Sequence, residues 1–163
     1  MRHPALLSLA LITAACSDKG GSDDTGSGDT AASVDGSYTG TFSLDVTATD
    51  GSVSDTCAGA ASLTFTEDGD PQLAGTGECT FSGDLAAALP DTYTATITGE
   101  RGDGEAIVGD VEFDLDGNII VDDWTGSFED GPAMYGRTEG AATYGELAFD
   151  YAGGFDVTWD GAR

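Results

Sequence analysis

The sequence predicts an all-β fold: an antiparallel up-and-down meander of eight to ten strands, closed as a barrel or stacked as a sandwich, with one cross-strand disulfide. Three observations carry this expectation. Apolar and polar residues alternate with period two through most of the chain after Val34, as strands buried on one face require. Turn-forming residues separate the alternating runs at short intervals, and short connections force neighbouring strands to run antiparallel. Two cysteines, Cys57 and Cys79, fall in the apolar phase of successive runs.

In the first strand Tyr38, Gly40, Phe42, Leu44, Val46 and Ala48 share one face, and Thr39, Thr41, Ser43, Asp45 and Thr47 share the other. Leu63 and Phe65 alternate with Ser62, Thr64 and Thr66, and Leu73, Gly75, Gly77, Cys79 and Phe81 form the next apolar face. Tyr93, Ala95, Ile97 and Gly99 then alternate with threonines, and Ile107, Gly109, Val111, Phe113 and Leu115 with acids. Ile120, Trp124, Gly126 and Phe128 make a further face. Leu147 to Tyr151 and Phe155 to Trp159 read as two more strands, broken by a turn at Gly153-Gly154.

The other turns are expected at Asp50-Gly51, Asp68-Gly69-Asp70-Pro71, Gly102-Asp103-Gly104, Asp116-Gly117-Asn118 and Asp130-Gly131-Pro132. One helical segment is expected, Asp84 to Leu89, with Asp84 as N-cap and Pro90 ending it. Sequential strands that are each apolar on one face must curl to bury that face, and glycines at inward positions 40, 75, 77, 99, 109 and 126 relieve crowding where a sheet bends. These features favour the barrel. In general shape the pattern resembles a lipocalin-type or avidin-type meander, which implies a ligand site in an open mouth if the interior is not filled.

Cys57 is in phase with Leu63 and Phe65, and Cys79 with Leu73 and Phe81, so both are expected to point inward from adjacent strands and to pair. A redox pair would call for a Cys-x-x-Cys beside a helix, and the chain has neither.

Ahead of this domain, Arg2 precedes an apolar run, Ala5 to Ile12, too short to span a bilayer permanently. The run leads into Thr13-Ala14-Ala15-Cys16, which resembles a bacterial lipobox. The resemblance implies a signal peptide over residues 1–15, lipidation of Cys16 and attachment to a lipid bilayer. Ser17 after the cysteine implies outer-membrane delivery. Three acyl chains hold far more firmly than one, since each buried methylene contributes about 0.8 kcal/mol. Residues 16–33 hold Ser, Gly, Asp and Thr with no large apolar side chain, and are expected to form a tether with a reach of roughly 25 Å. Residues 34–163 form a single domain in this reading.

Thirty acids against five bases give a net charge of −25. Nucleic acid is excluded as a partner, because its affinity comes chiefly from neutralising phosphates with Lys and Arg. A saline habitat, solubility and protection of strand edges each account for the acidity. The weaker alternative is a calcium site at Asp114, Asp116, Asn118, Asp122 and Asp123, although position twelve counted from Asp114 is Thr125 where an EF-hand needs glutamate. No metal or other cofactor is expected.

The single histidine, His3, lies within the expected signal segment, so no Ser-His-Asp triad, Cys-His pair or histidine-bound zinc can form after it. Lys19, the one lysine, lies in the tether. A non-enzymatic structural or protein-interaction role is the first expectation. The second is a barrel that binds a small apolar or sugar-like ligand, lined by Tyr93, Trp124, Tyr135 and Trp159. The free volume inside the barrel separates the two.

Overall fold

The computed structural model describes residues 34–87, 92–115, 117–129 and 132–161. Among them run eight strands: β1 (Gly36–Ala48), β2 (Ser54–Phe65), β3 (Leu73–Phe81), β4 (Tyr93–Arg101), β5 (Ala106–Leu115), β6 (Asn118–Glu129), β7 (Ala133–Tyr144) and β8 (Leu147–Trp159). Each pairs antiparallel with the next, and β1 pairs with β8, so the sheet closes as a barrel. Closure removes the exposed edges that an open sheet or a sandwich would leave.

Alternation decides which way each side chain points. Phe42, Leu44, Val46 and Ala48 of β1 are buried while Thr41, Ser43, Asp45 and Thr47 are exposed. The same rhythm holds in β2, β3 and β4. Inward rings meet edge to face: Trp124 on Phe155 at 5.0 Å, Phe65 on Phe128 at 5.1 Å and Phe113 on Tyr151 at 5.7 Å between centroids. Each such side chain withdrawn from water contributes about 1.5–3 kcal/mol.

Turn glycines take the left-handed conformation where the hairpins need it, with φ 72° at Gly51 and 85° at Gly117. Cys57 and Cys79 are disulfide-bonded, with Cα atoms 5.3 Å apart. They are diagonal neighbours, since Cys57 lies opposite Phe81 and Cys79 opposite Gly59.

In the C-terminal third the structure adds one strand and corrects one reading. Ala133–Tyr144 is a full strand although its sequence shows little apolar alternation. Its inward positions include Gly136, Thr138 and Gly140, small because large neighbours fill the space above them: a methyl on Gly136 would meet the Phe155 ring and Trp124 Cε3. Gly153-Gly154 is not a turn but the middle of β8, paired to Thr138 and Arg137 on one side and to Leu44 and Ser43 on the other. The helical segment is a short 3-10 turn, η1 (Asp84–Ala87), and its expected end at Leu89 and Pro90 lies outside the described residues.

The ladder from β6 to β7 spans only five residue pairs, Thr125↔Arg137 to Glu129↔Ala133. That from β7 to β8 spans twelve. The two strands therefore part in their upper halves, towards the barrel end that carries η1 and the β1–β2, β5–β6 and β7–β8 turns.

Candidate functional site

The lower end of the barrel is closed. Phe128 packs against Phe65 and Tyr38, and the Arg101 guanidinium lies 5.4 Å above the Phe128 ring while also pairing with Glu67 at 3.2 Å.

At the upper end Leu44, Val46, Phe81, Leu85, Tyr144, Leu147 and Phe149 surround an apolar cavity of about 50 Å³. Leu85 comes from η1, which is held across the mouth by Asp55. The Asp55 carboxylate accepts main-chain hydrogen bonds from Thr56 (2.7 Å), Gly83 (2.9 and 3.0 Å) and Leu85 (2.9 Å). Burial acts to raise its pKa, but the main-chain donors of Leu85, Thr56, Gly83 and Ser82 outweigh burial and hold it below the usual carboxylate range. In the middle of the barrel, between Phe42, Ile97, Val111, Trp124 and Phe155, lies a cavity of about 10 Å³, roughly the least that one water needs. Small-molecule sites run to about 300–1,000 Å³.

The four aromatics expected to line a ligand site are dispersed. Trp124 is buried in the centre, its Nε1 donating to Thr98 O at 2.9 Å and Asp110 O at 3.2 Å. Tyr93 is buried near the upper end against Phe81. Trp159 lies half-buried near the lower end, and Tyr135 lies half-buried on the outer face beneath the Arg137 guanidinium.

The acids weighed as calcium ligands are divided between the two faces of the sheet. Asp114 Oδ1 accepts from Gly117 N at 2.7 Å and so closes its own turn. Asp122 points inward and accepts from the Tyr151 hydroxyl, while Asp123 faces outward opposite Asp110. Asn118 begins β6, and Asp116 lies outside the described residues. No three Asp, Glu, His or Cys side chains among the described residues gather as metal ligands would.

Two open depressions of about 570 and 380 Å³ lie on the outer face of β1, β7 and β8. Asp45 and Glu139 border both, and Arg137 is engaged there with Asp156 at 2.6 Å. Such a surface attracts cations diffusely and offers no enclosed chemistry.

Asp55 was not singled out from the sequence and Asp122 was weighed only as a calcium ligand, yet a signal that each is drawn inward was present. Asp55 is in phase with the inward Cys57, and Asp122 with the inward Trp124. A charged residue at an apolar phase must have hydrogen-bond partners, and both have them. Cys16 lies outside the described residues.

No protein-family model matches the chain, and no curated protein matches it in sequence. Among solved structures the chain is similar to Burkholderia cenocepacia BcnA, with a TM-score of 0.50 and 12% identity over 71% of this chain and 94% of that one. At that identity the likeness is one of fold.

Proposed function

We propose that this chain is a non-enzymatic lipoprotein of the outer membrane, tethered through acylated Cys16, whose barrel works through its outer surface as an acidic protein-interaction module. The observation that carries this reading is the filled interior, with about 10 Å³ free at its centre. A barrel packed with its own side chains has no room for cargo, so recognition falls to the outer face and the strand edges. The lipobox-like Thr13-Ala14-Ala15-Cys16 supports the anchor, and the absence of histidine after His3 supports a role without acid-base catalysis.

One observation favours a second reading. The mouth cavity under Leu85 is wholly apolar and η1 covers it, as a lid would cover a short aliphatic group.

Two measurements test the proposal. Labelled palmitate should enter the protein in a Gram-negative host and be lost in Cys16→Ser; label retained by the variant overturns the anchor. A fluorescent fatty acid should show no saturable one-to-one binding to the purified chain. Micromolar binding abolished by Leu44→Trp would place a ligand in the barrel and favour the second reading.

A further inference from the structure

We infer that the upper edge of β6, where it parts from β7, is a docking site for an extended, basic polypeptide segment that joins the sheet as an added strand. The inference rests on the outer-surface reading above and names its partner class.

Above Thr125 no ladder joins β6 to β7, so residues 119–121 are paired in the sheet only to β5. An unladdered edge inside an otherwise closed barrel is the element to which an extended chain adds by main-chain hydrogen bonds. The outer face beside this edge is apolar. Ile119 is 52% exposed and Val121 59% exposed, two of the three exposed large hydrophobic residues among those described. They lie two positions apart on one face, at the spacing that would pair with alternate side chains of an incoming strand. At the foot of the opening the edge is held by side chains: Thr138 Oγ1 donates to Asp123 O at 2.9 Å, and Tyr151 Oη to Asp122.

Charge selects among possible occupants. Asp114 lies opposite Ile119, Glu112 opposite Val121 and Asp110 opposite Asp123, and Glu139 is exposed on β7 across the opening. Arg137, the nearest cation below, is engaged with Asp156. Charges this close are within one Debye length, about 10 Å at 0.1 M salt, so they act on an added strand together. A second copy of this chain brings net charge −25 to the same edge and is repelled. The tether holds Asp18, Asp23, Asp24 and Asp29 against Lys19 and is repelled too. A segment whose outward positions carry valine-like residues beside Ile119 and Val121 and lysine or arginine before and after them, where Asp114, Asp123 and Glu139 lie, satisfies the edge, the two apolar side chains and the acids at once.

The probe is a fluorescent, blocked peptide of the order Lys-Thr-Val-Thr-Val-Thr-Lys, which sets lysine and valine on one face of a strand, titrated against the full-length chain purified in detergent. It should bind saturably, weaken about tenfold on raising salt from about 0.05 to 0.5 M, and weaken at least about tenfold in the Ile119→Lys, Val121→Lys double variant. Both substitutions are at exposed positions, and circular dichroism checks that the fold is kept. The same peptide N-methylated at every main-chain amide should not bind, because it keeps charge and side chains but has no N–H on either edge with which to extend a ladder. Equal binding of the methylated peptide overturns the inference in favour of simple charge attraction, and concentration-dependent dimers blocked by the double variant overturn it in favour of a second copy. No binding of the unmodified peptide overturns it while leaving the filled-barrel reading intact, since that reading fails only if the fatty acid binds.

Discussion

The Tyr151 hydroxyl donates to Asp122 Oδ2 at 2.5 Å, directly above Gly140, and this bond ties β8 to β6 at the level where the β6–β7 ladder has ended. Continued upward, the register of that ladder would set Asp122 opposite Gly140, so side chains carry on a pairing that main chains have abandoned. Gly140 is required there, because a methyl would meet both Asp122 Oδ2 and Tyr151 Oη.

Tyr151→Phe is therefore expected to destabilise the chain by about 1–3 kcal/mol, the range for losing a hydrogen bond to a charged partner, with Asp122 keeping only the bond from Asp123 N to its Oδ1. Burial first, and then the Asp122 hydrogen bond and charge, push the Tyr151 phenol far above the ordinary tyrosine range. A raised folded-state pKa means that this stabilisation is complete below about pH 10 and is lost as pH rises beyond it. Phenolate absorbance should show Tyr151 ionising late, and the variant should lack that step while keeping the elevated titration of Tyr38, which burial and Asp35 also raise.

Asp55 gives the opposite dependence. Its folded-state pKa is depressed, so its contribution is present above the unfolded carboxylate value and is lost as pH falls below about 4. Asp55→Asn should free the segment carrying Gly83 and Leu85 before the barrel melts. Protection of those two amides, taken relative to intrinsic exchange at each pH, should fall in the variant at neutral pH and in the wild type on acidification, and unchanged protection in both would refute the clamp.

Removal of the disulfide by Cys57→Ala with Cys79→Ala is expected to cost about 3 kcal/mol, the chain-entropy figure for a bridge at a sequence separation of 22. Denaturant midpoints of the two proteins measure this. Native chain exposed to an alkylating reagent should show neither thiol modified, because both cysteines are buried as well as bonded.

Added salt should raise the melting temperature by screening a domain that carries 26 acids and three arginines over residues 34–163. Calcium and magnesium at equal ionic strength should act alike. A calcium-specific rise would require a site assembled around Asp114 and its turn, in place of the hydrogen bond from Gly117 that now occupies its carboxylate.

Much of the barrel was legible in the sequence because closure of a meander needs only local information: which phase is apolar, where the turns lie, and which cysteines share a face. Tyr38 to Ala48 and Tyr93 to Gly99 read directly as the strands they are. β7 did not, since its inward residues are small for a non-local reason. Gly136 makes room for Phe155 and Trp124, which come from neighbouring strands. Gly153-Gly154 misled in the same way, as glycine marks a close approach within a strand as readily as a turn.

The candidate site divides along the same line. Alternation by itself determined that Cys57 and Cys79 face inward, that most acids face water, and that Asp55 and Asp122 occupy apolar phases. Only the tertiary structure decided that Trp124 and Phe155 pack together in the middle of the barrel, that Phe81, Tyr144 and Phe149 border the small cavity at its mouth, and that β6 parts from β7 above Thr125. The physical reason is that phase is a property of one strand, read every second residue along the chain. Free volume and ladder length depend on how side chains from all eight strands share one interior, and no single stretch of sequence contains that sum.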